Sequence, residues 1–91
     1  MDNQHRKISG YRELSQEEID LMNAVKAKSA EMGELVKQIR SRMVTGVSGL
    51  KGPELHAFYE ADPFTWLTNG AHDIQTGVMK VIRAITQPKG F

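Results

Sequence analysis

Residues 15–45 form one unbroken amphipathic stretch, and nothing else in the chain restricts its folding as much. Met22, Val25, Met32, Val36, Ile39 and Met43 recur at steps of three and four, with Ser29 filling the gap and Leu21, Ala24 and Leu35 widening the stripe. That is the periodicity of a helix with one apolar face. Its beginning is marked more than once. Ser15-Gln16-Glu17-Glu18 fits a capping box, in which the Ser15 hydroxyl accepts from the Glu18 amide and the Glu18 carboxylate accepts from the Ser15 amide. Leu14 and Ile19 stand at the positions of a hydrophobic staple, and Glu17, Glu18 and Asp20 put negative charge on the positive end of the helix dipole. No proline interrupts the pattern, and Thr45-Gly46 is its expected stop, so the spacing predicts a helix of ~30 residues and roughly 45 Å.

The rest of the chain arranges itself around that helix. Residues 1–14 show no sustained periodicity and carry His5, Arg6, Lys7 and Arg12, which reads as a short basic arm. Residues 46–62, with Gly49, Gly52 and Pro53, read as a connector holding one helical turn over 53–59. Asp62-Pro63 is an N-cap followed by proline at the first helical position. Leu67, Ala71, Ile74, Val78, Val81 and Ile85 then alternate steps of four and three until Gln87-Pro88 ends a second helix over 63–87, with 88–91 as a tail. The expected fold is all-α, a single-domain long helical hairpin of two main helices and a short connector turn. Helices of roughly 45 and 35 Å cannot cover all of each other's apolar stripes, so assembly into a homo-oligomeric bundle is expected. Gly70 and Gly77, seven positions apart on one face, are expected to let another helix come close there.

Composition removes most other classes of function. Ninety-one residues make one domain, and a net charge of +1 gives no bulk attraction to duplex nucleic acid or anionic lipid. With no cysteine there is neither a disulfide framework, a thiolate metal site nor a cysteine nucleophile. His5, His56 and His72 have no second ligand type at metal-binding spacing, and no nucleophile elbow, phosphate loop or zinc-protease motif occurs. No catalytic constellation, cofactor or metal is expected. No apolar run reaches the ~20 residues of a membrane span, and the first residues lack the apolar centre of a secretory signal.

Binding chemistry is better represented. Tyr11 lies between Gly10 and Arg12 in the arm, so a ring that can stack on a nucleobase and a cation that can hold phosphate are offered together. Lys26 sits beside Val25 at the margin of the apolar stripe, where its stem can lie on apolar surface while the ammonium stays exposed. Ser15 to Lys26 spans roughly 16 Å of helix, so Tyr11 and Lys26 combine more easily between two subunits than within one. The competing reading is a helical protein–protein interaction module or inhibitor that docks through the methionine-rich stripe of the first helix.

The segment HRKISGYRELSQEEIDLMN, residues 5–23, together with Lys26 and the later pattern Trp66-Leu67, Gly70, Asp73, Gln75, Gly77, Met79 and Arg83-Ala84, resembles the phage anti-CBASS cyclic-nucleotide sponges, which are related to the Thoeris anti-defence sponges. The resemblance implies a homohexamer of helical hairpins that binds cyclic dinucleotides such as 3′,3′-cyclic GMP-AMP between subunits, without cleaving them, in the cytoplasm of the host bacterium. It places the family's stacking tyrosine on Tyr11 and its phosphate-contacting lysine on Lys26, and draws Gly10, Arg12 and Asn23 into the same candidate site. The family's cyclic trinucleotide pocket uses an arginine in a motif resembling Trp-Leu-x-x-Gly-Arg. This chain has Ala71 at that arginine, which counts against trinucleotide binding.

Overall fold

The computed structural model describes residues 12–90, which form three helices in chain order: α1 (Gln16–Val47), α2 (Gly52–Ala61) and α3 (Pro63–Thr86). The all-α hairpin expected from the periodicity is present, with α1 and α3 packed on one another and α2 at the turn. At ~1.5 Å per residue, the 32 residues of α1 run about 48 Å and the 24 of α3 about 36 Å.

The start of α1 is the predicted capping box. Glu18 N donates to Ser15 Oγ at 3.2 Å and Ser15 N donates to Glu18 Oε1 at 2.9 Å. Its end differs from expectation, because the helix passes through Thr45-Gly46 and stops at Val47. There Gly49 N donates to the Gly46 carbonyl at 3.2 Å and Leu50 N to the Val47 carbonyl at 3.1 Å, while Ser48 Oγ donates to the Thr45 carbonyl at 2.8 Å. These shorter-range bonds satisfy carbonyls that a helix end leaves open, so the backbone need not turn at the glycine.

The connector is more ordered than the single turn predicted for it. Gly52, at a φ of +57°, opens α2, and Pro53 takes the first-turn position where its missing N–H costs nothing. Phe58 closes edge-on against Phe64, 5.7 Å between ring centres, and so holds α2 to the first turn of α3. Asp62 was expected to cap α3 with its side chain. Instead it ends α2 and begins α3 in the left-handed conformation, at a φ of 51° and a ψ of 50°, and its side chain makes no capping bond. Its backbone carbonyl accepts from Trp66 N at 3.2 Å, so the residue works as a pivot. Gln87, also left-handed, closes α3 by donating its N–H to the Arg83 carbonyl at 2.9 Å.

The hairpin has no interior. Among the described residues none is fully buried, and the radius of gyration is 19.7 Å where a compact domain of this length has about 12 Å. The chain exposes 7247 Å² where about 5,300 Å² is usual for a monomer of this mass. The seam is half-buried on α1 at Met22, Val25, Ser29, Val36, Arg40, Met43 and Val47, and on α3 at Leu67, Ala71, Ile74, Val78, Ile82 and Ile85. Of the predicted stripe positions, Met32 at 43 %, Ile39 at 48 % and Val81 at 49 % exposure face outward, while Arg40 and Ile82 take places in the seam.

Candidate functional site

A helix advances ~100° per residue, so one step past the seam at Val25 turns Lys26 onto the flank that also carries Asn23, three positions earlier, and Lys37, eleven later. Lys26 and Asn23 are both exposed. Lys26 makes no ion pair or hydrogen bond among the described residues, whereas Lys28 pairs with Glu31 at 3.5 Å and Lys37 with Glu34 at 3.3 Å. Its stem borders the seam and its ammonium has no partner among the described residues, as expected for a lysine at the margin of the stripe.

Further along this flank, Gly33, Lys37, Arg40, Ala71 and Gln75 line a groove of about 300 Å³ between α1 and α3. Arg40 Nη2 donates to Thr68 Oγ1 at 3.3 Å across it. The sequence offered no sign of Arg40, because its place in the seam follows from the way the two helices meet and not from its own neighbours.

The opposite flank is apolar. Leu21, Val25 and Met32 from α1 face Ile74, Val78 and Val81 from α3 around a trough of about 440 Å³. Leu21 at 53 %, Val81 at 49 % and Met32 at 43 % exposure leave it open in a single chain. Gly70 and Gly77, expected to admit a neighbouring helix, meet nothing within 4 Å of a Cβ built on them, so no close approach at these positions occurs inside the hairpin.

Of the candidate ligand-binding residues, Gly10 and Tyr11 lie outside the described residues. Arg12, expected to present its guanidinium to phosphate, is half-buried at the mouth of the hairpin. Its Nη1 donates to Glu18 Oε1 at 3.1 Å, its Nη2 is paired with Glu18 Oε2, and Nη2 also donates to the Ile85 carbonyl at 2.7 Å. The grip of Arg12, reinforced by the Ser15 amide, pulls the Glu18 carboxyl down to about 2, and the same pair raises Arg12. Glu18 was legible only as a member of the capping box, since nothing local announces a partner at Arg12. Arg12 is held at Glu18, about 12 Å of helix rise before Lys26, so the structure does not bring these two cations together in one chain.

Among the described residues no group of three or more His, Cys, Asp or Glu side chains could hold a metal ion, and no helix is long and apolar enough to cross a membrane. The candidate site thus comprises an exposed ammonium at Lys26, a groove lined by Lys37 and Arg40, and the Arg12 junction between α1 and α3.

No protein-family model matches the sequence. A relative is found in Anti-CBASS protein 2 of Pseudomonas phage JBD67, 44 % identical over 107 aligned residues, with 99 % of each chain covered.

Proposed function

The chain belongs to the family of Anti-CBASS protein 2, and from that premise we propose that it blocks CBASS antiviral effectors by sequestering cyclic dinucleotides of the 3′,3′-cyclic GMP-AMP type in the host bacterial cytoplasm. The protein binds the messenger without transforming it. Lys26 supplies the phosphate contact, Tyr11 the stacking surface, and Asn23 a polar group on the Lys26 flank. Gly10, beside Tyr11 in sequence, belongs to the same ligand-binding set. The binding unit is a pocket between subunits of a homo-oligomer, with a hexamer the expected assembly.

The observation that carries this reading is a Lys26 ammonium without a partner among the described residues, on a hairpin in which none of the described residues is fully buried. A hairpin with an open apolar trough is completed by a second copy, and a symmetric pair of copies presents two rings and two ammonium groups to a ligand with two bases and two phosphodiesters. A nanomolar Kd corresponds to about −12 kcal/mol. Base stacking contributes ~1–3 kcal/mol per base, and charge-assisted bonds to phosphate add to it once assembly has ordered the pocket.

Isothermal titration of the purified protein with 3′,3′-cyclic GMP-AMP tests the reading. Tight binding at one ligand per two chains, with intact ligand recovered after denaturation, is the expected result. Absence of heat, or recovery of a linear product, would end it. The apolar trough favours one alternative, a helical module that docks on another protein. In that case Tyr11→Ala and Lys26→Ala leave docking untouched and no cyclic nucleotide binds.

A further inference from the structure

Arg12 is the first described residue of the chain, and it touches both long helices at once. Its terminal nitrogens grip Glu18 in the first turn of α1, and one of them also reaches the Ile85 carbonyl, 73 positions away, at 2.7 Å. Each end of this bridge is itself built in. Glu18 is held by the Ser15 amide at 2.9 Å within the capping box. Ile85 lies in the last turn of α3, where carbonyls have no partner within the helix and the dipole favours a cation.

The hydrogen count of the guanidinium decides what Arg12 can do. Of the five N–H groups of an arginine, three are spent on Glu18 and Ile85, and the Nε is buried without a partner among the described residues. One Nη1 hydrogen remains, so the paired donors that grip a phosphate through two bonds are not on offer.

We propose that Arg12 is a positioning residue that bolts the root of the N-terminal arm to the start of α1 and the end of α3 together. This rests on the ligand reading above, in which residue 11 carries the stacking ring. Consecutive Cα atoms are about 3.8 Å apart, so a fixed Arg12 fixes the point from which Tyr11 departs. Ligand capture is then coupled to the register of the α1–α3 hairpin, and the placement of Arg12 is met in the free protein, where it does not subtract from affinity.

The sign of one charge removal separates this role from direct contact. Glu18→Gln keeps the capping box, because glutamine serves at that position, but it loses the ionic grip on Arg12. If Arg12 positions the arm, Glu18→Gln weakens binding of 3′,3′-cyclic GMP-AMP about tenfold, Arg12→Lys does the same because it lacks the planar fork, and the double variant is no weaker than either single one. Titrations run at a temperature where circular dichroism shows every variant fully helical. If Arg12 instead contacts phosphate, removal of the neighbouring carboxylate strengthens binding, and that result overturns the proposal. Unchanged affinity in both single variants overturns it equally. A wild-type protein that binds no cyclic dinucleotide removes the ligand reading itself, and this inference with it.

Discussion

Arg40 Nη2 sits 3.3 Å from Thr68 Oγ1, joining the later half of α1 to the first turns of α3 from within the apolar seam. A cation at a seam position is held there by its long stem, which lies along the helices while the guanidinium reaches the edge. Arg40→Ala removes both the stem packing and the bond. It is expected to destabilise the hairpin by about 1 kcal/mol, read as a lower urea midpoint at fixed protein concentration. Arg40→Met, which keeps the stem, should recover part of that loss.

Asp62 pays the conformational cost of a left-handed residue without a capping bond to set against it. Asp62→Gly is therefore expected to raise the melting temperature, with a gain on the order of 0.5–1 kcal/mol. An aspartate that capped α3 through its side chain would give the opposite sign. Asp62→Val, branched at Cβ, should destabilise by more than the glycine stabilises.

The Glu18 carboxyl titrates at about 2, below its ordinary value of 4.5, first because Arg12 donates to it and then because the Ser15 amide does. A lowered carboxyl pKa means that its contribution to stability is complete above the unfolded-state value and is lost as pH falls from about 4.5 through about 2. Arg12, raised by the same contact, stays protonated throughout this window. Thermal melts between pH 5 and pH 2 should show a shallower loss for Glu18→Gln than for the wild type.

The open trough calls for a different kind of test. Leu21, Met32 and Val81 are each more than two-fifths exposed in one chain, so a charge placed there costs an isolated hairpin little. In an assembly that covers the trough, the same charge is buried without a partner. Leu21→Glu with Val81→Glu is expected to reduce the mass measured by light scattering to that of a smaller species while leaving the helices formed. An unchanged mass would place the subunit contact elsewhere.

Lys26→Gln should weaken capture of a cyclic dinucleotide by about tenfold to a hundredfold, the loss of one charge-assisted contact of about 1.5–3 kcal/mol. Added salt should narrow the gap between the two proteins, since screening acts on the contact that only the wild type has. Tyr11→Ala should cost ~1–3 kcal/mol with little dependence on salt, because stacking is not a charge interaction.

Much of this architecture is legible in the chain read residue by residue. The capping box at Ser15 and Glu18, the proline after Asp62, the closure at Gln87-Pro88 and the two apolar stripes are local signals, each written within a turn or two of helix. Lys26 could be placed at the stripe's margin for the same reason. The full length of α2 is not legible in the connector, because glycine and proline at its head read as loop when α2 in fact uses them to start. Met32, Ile39 and Val81 belong to the stripes yet face outward, since a broad stripe on a helix does not say which of its edges the partner covers.

The sequence alone thus determined where α1 begins, where α3 begins and ends, and which side of each is broadly apolar, because the 3.6-residue turn and its caps depend on near neighbours. The tertiary structure alone decided that Arg12 closes on Ile85 and Arg40 on Thr68, and that one edge of the stripes remains open. Those outcomes depend on the register between α1 and α3, the two helices that pack on one another. Register is a property of two helices meeting, and no span of residues within either helix carries it.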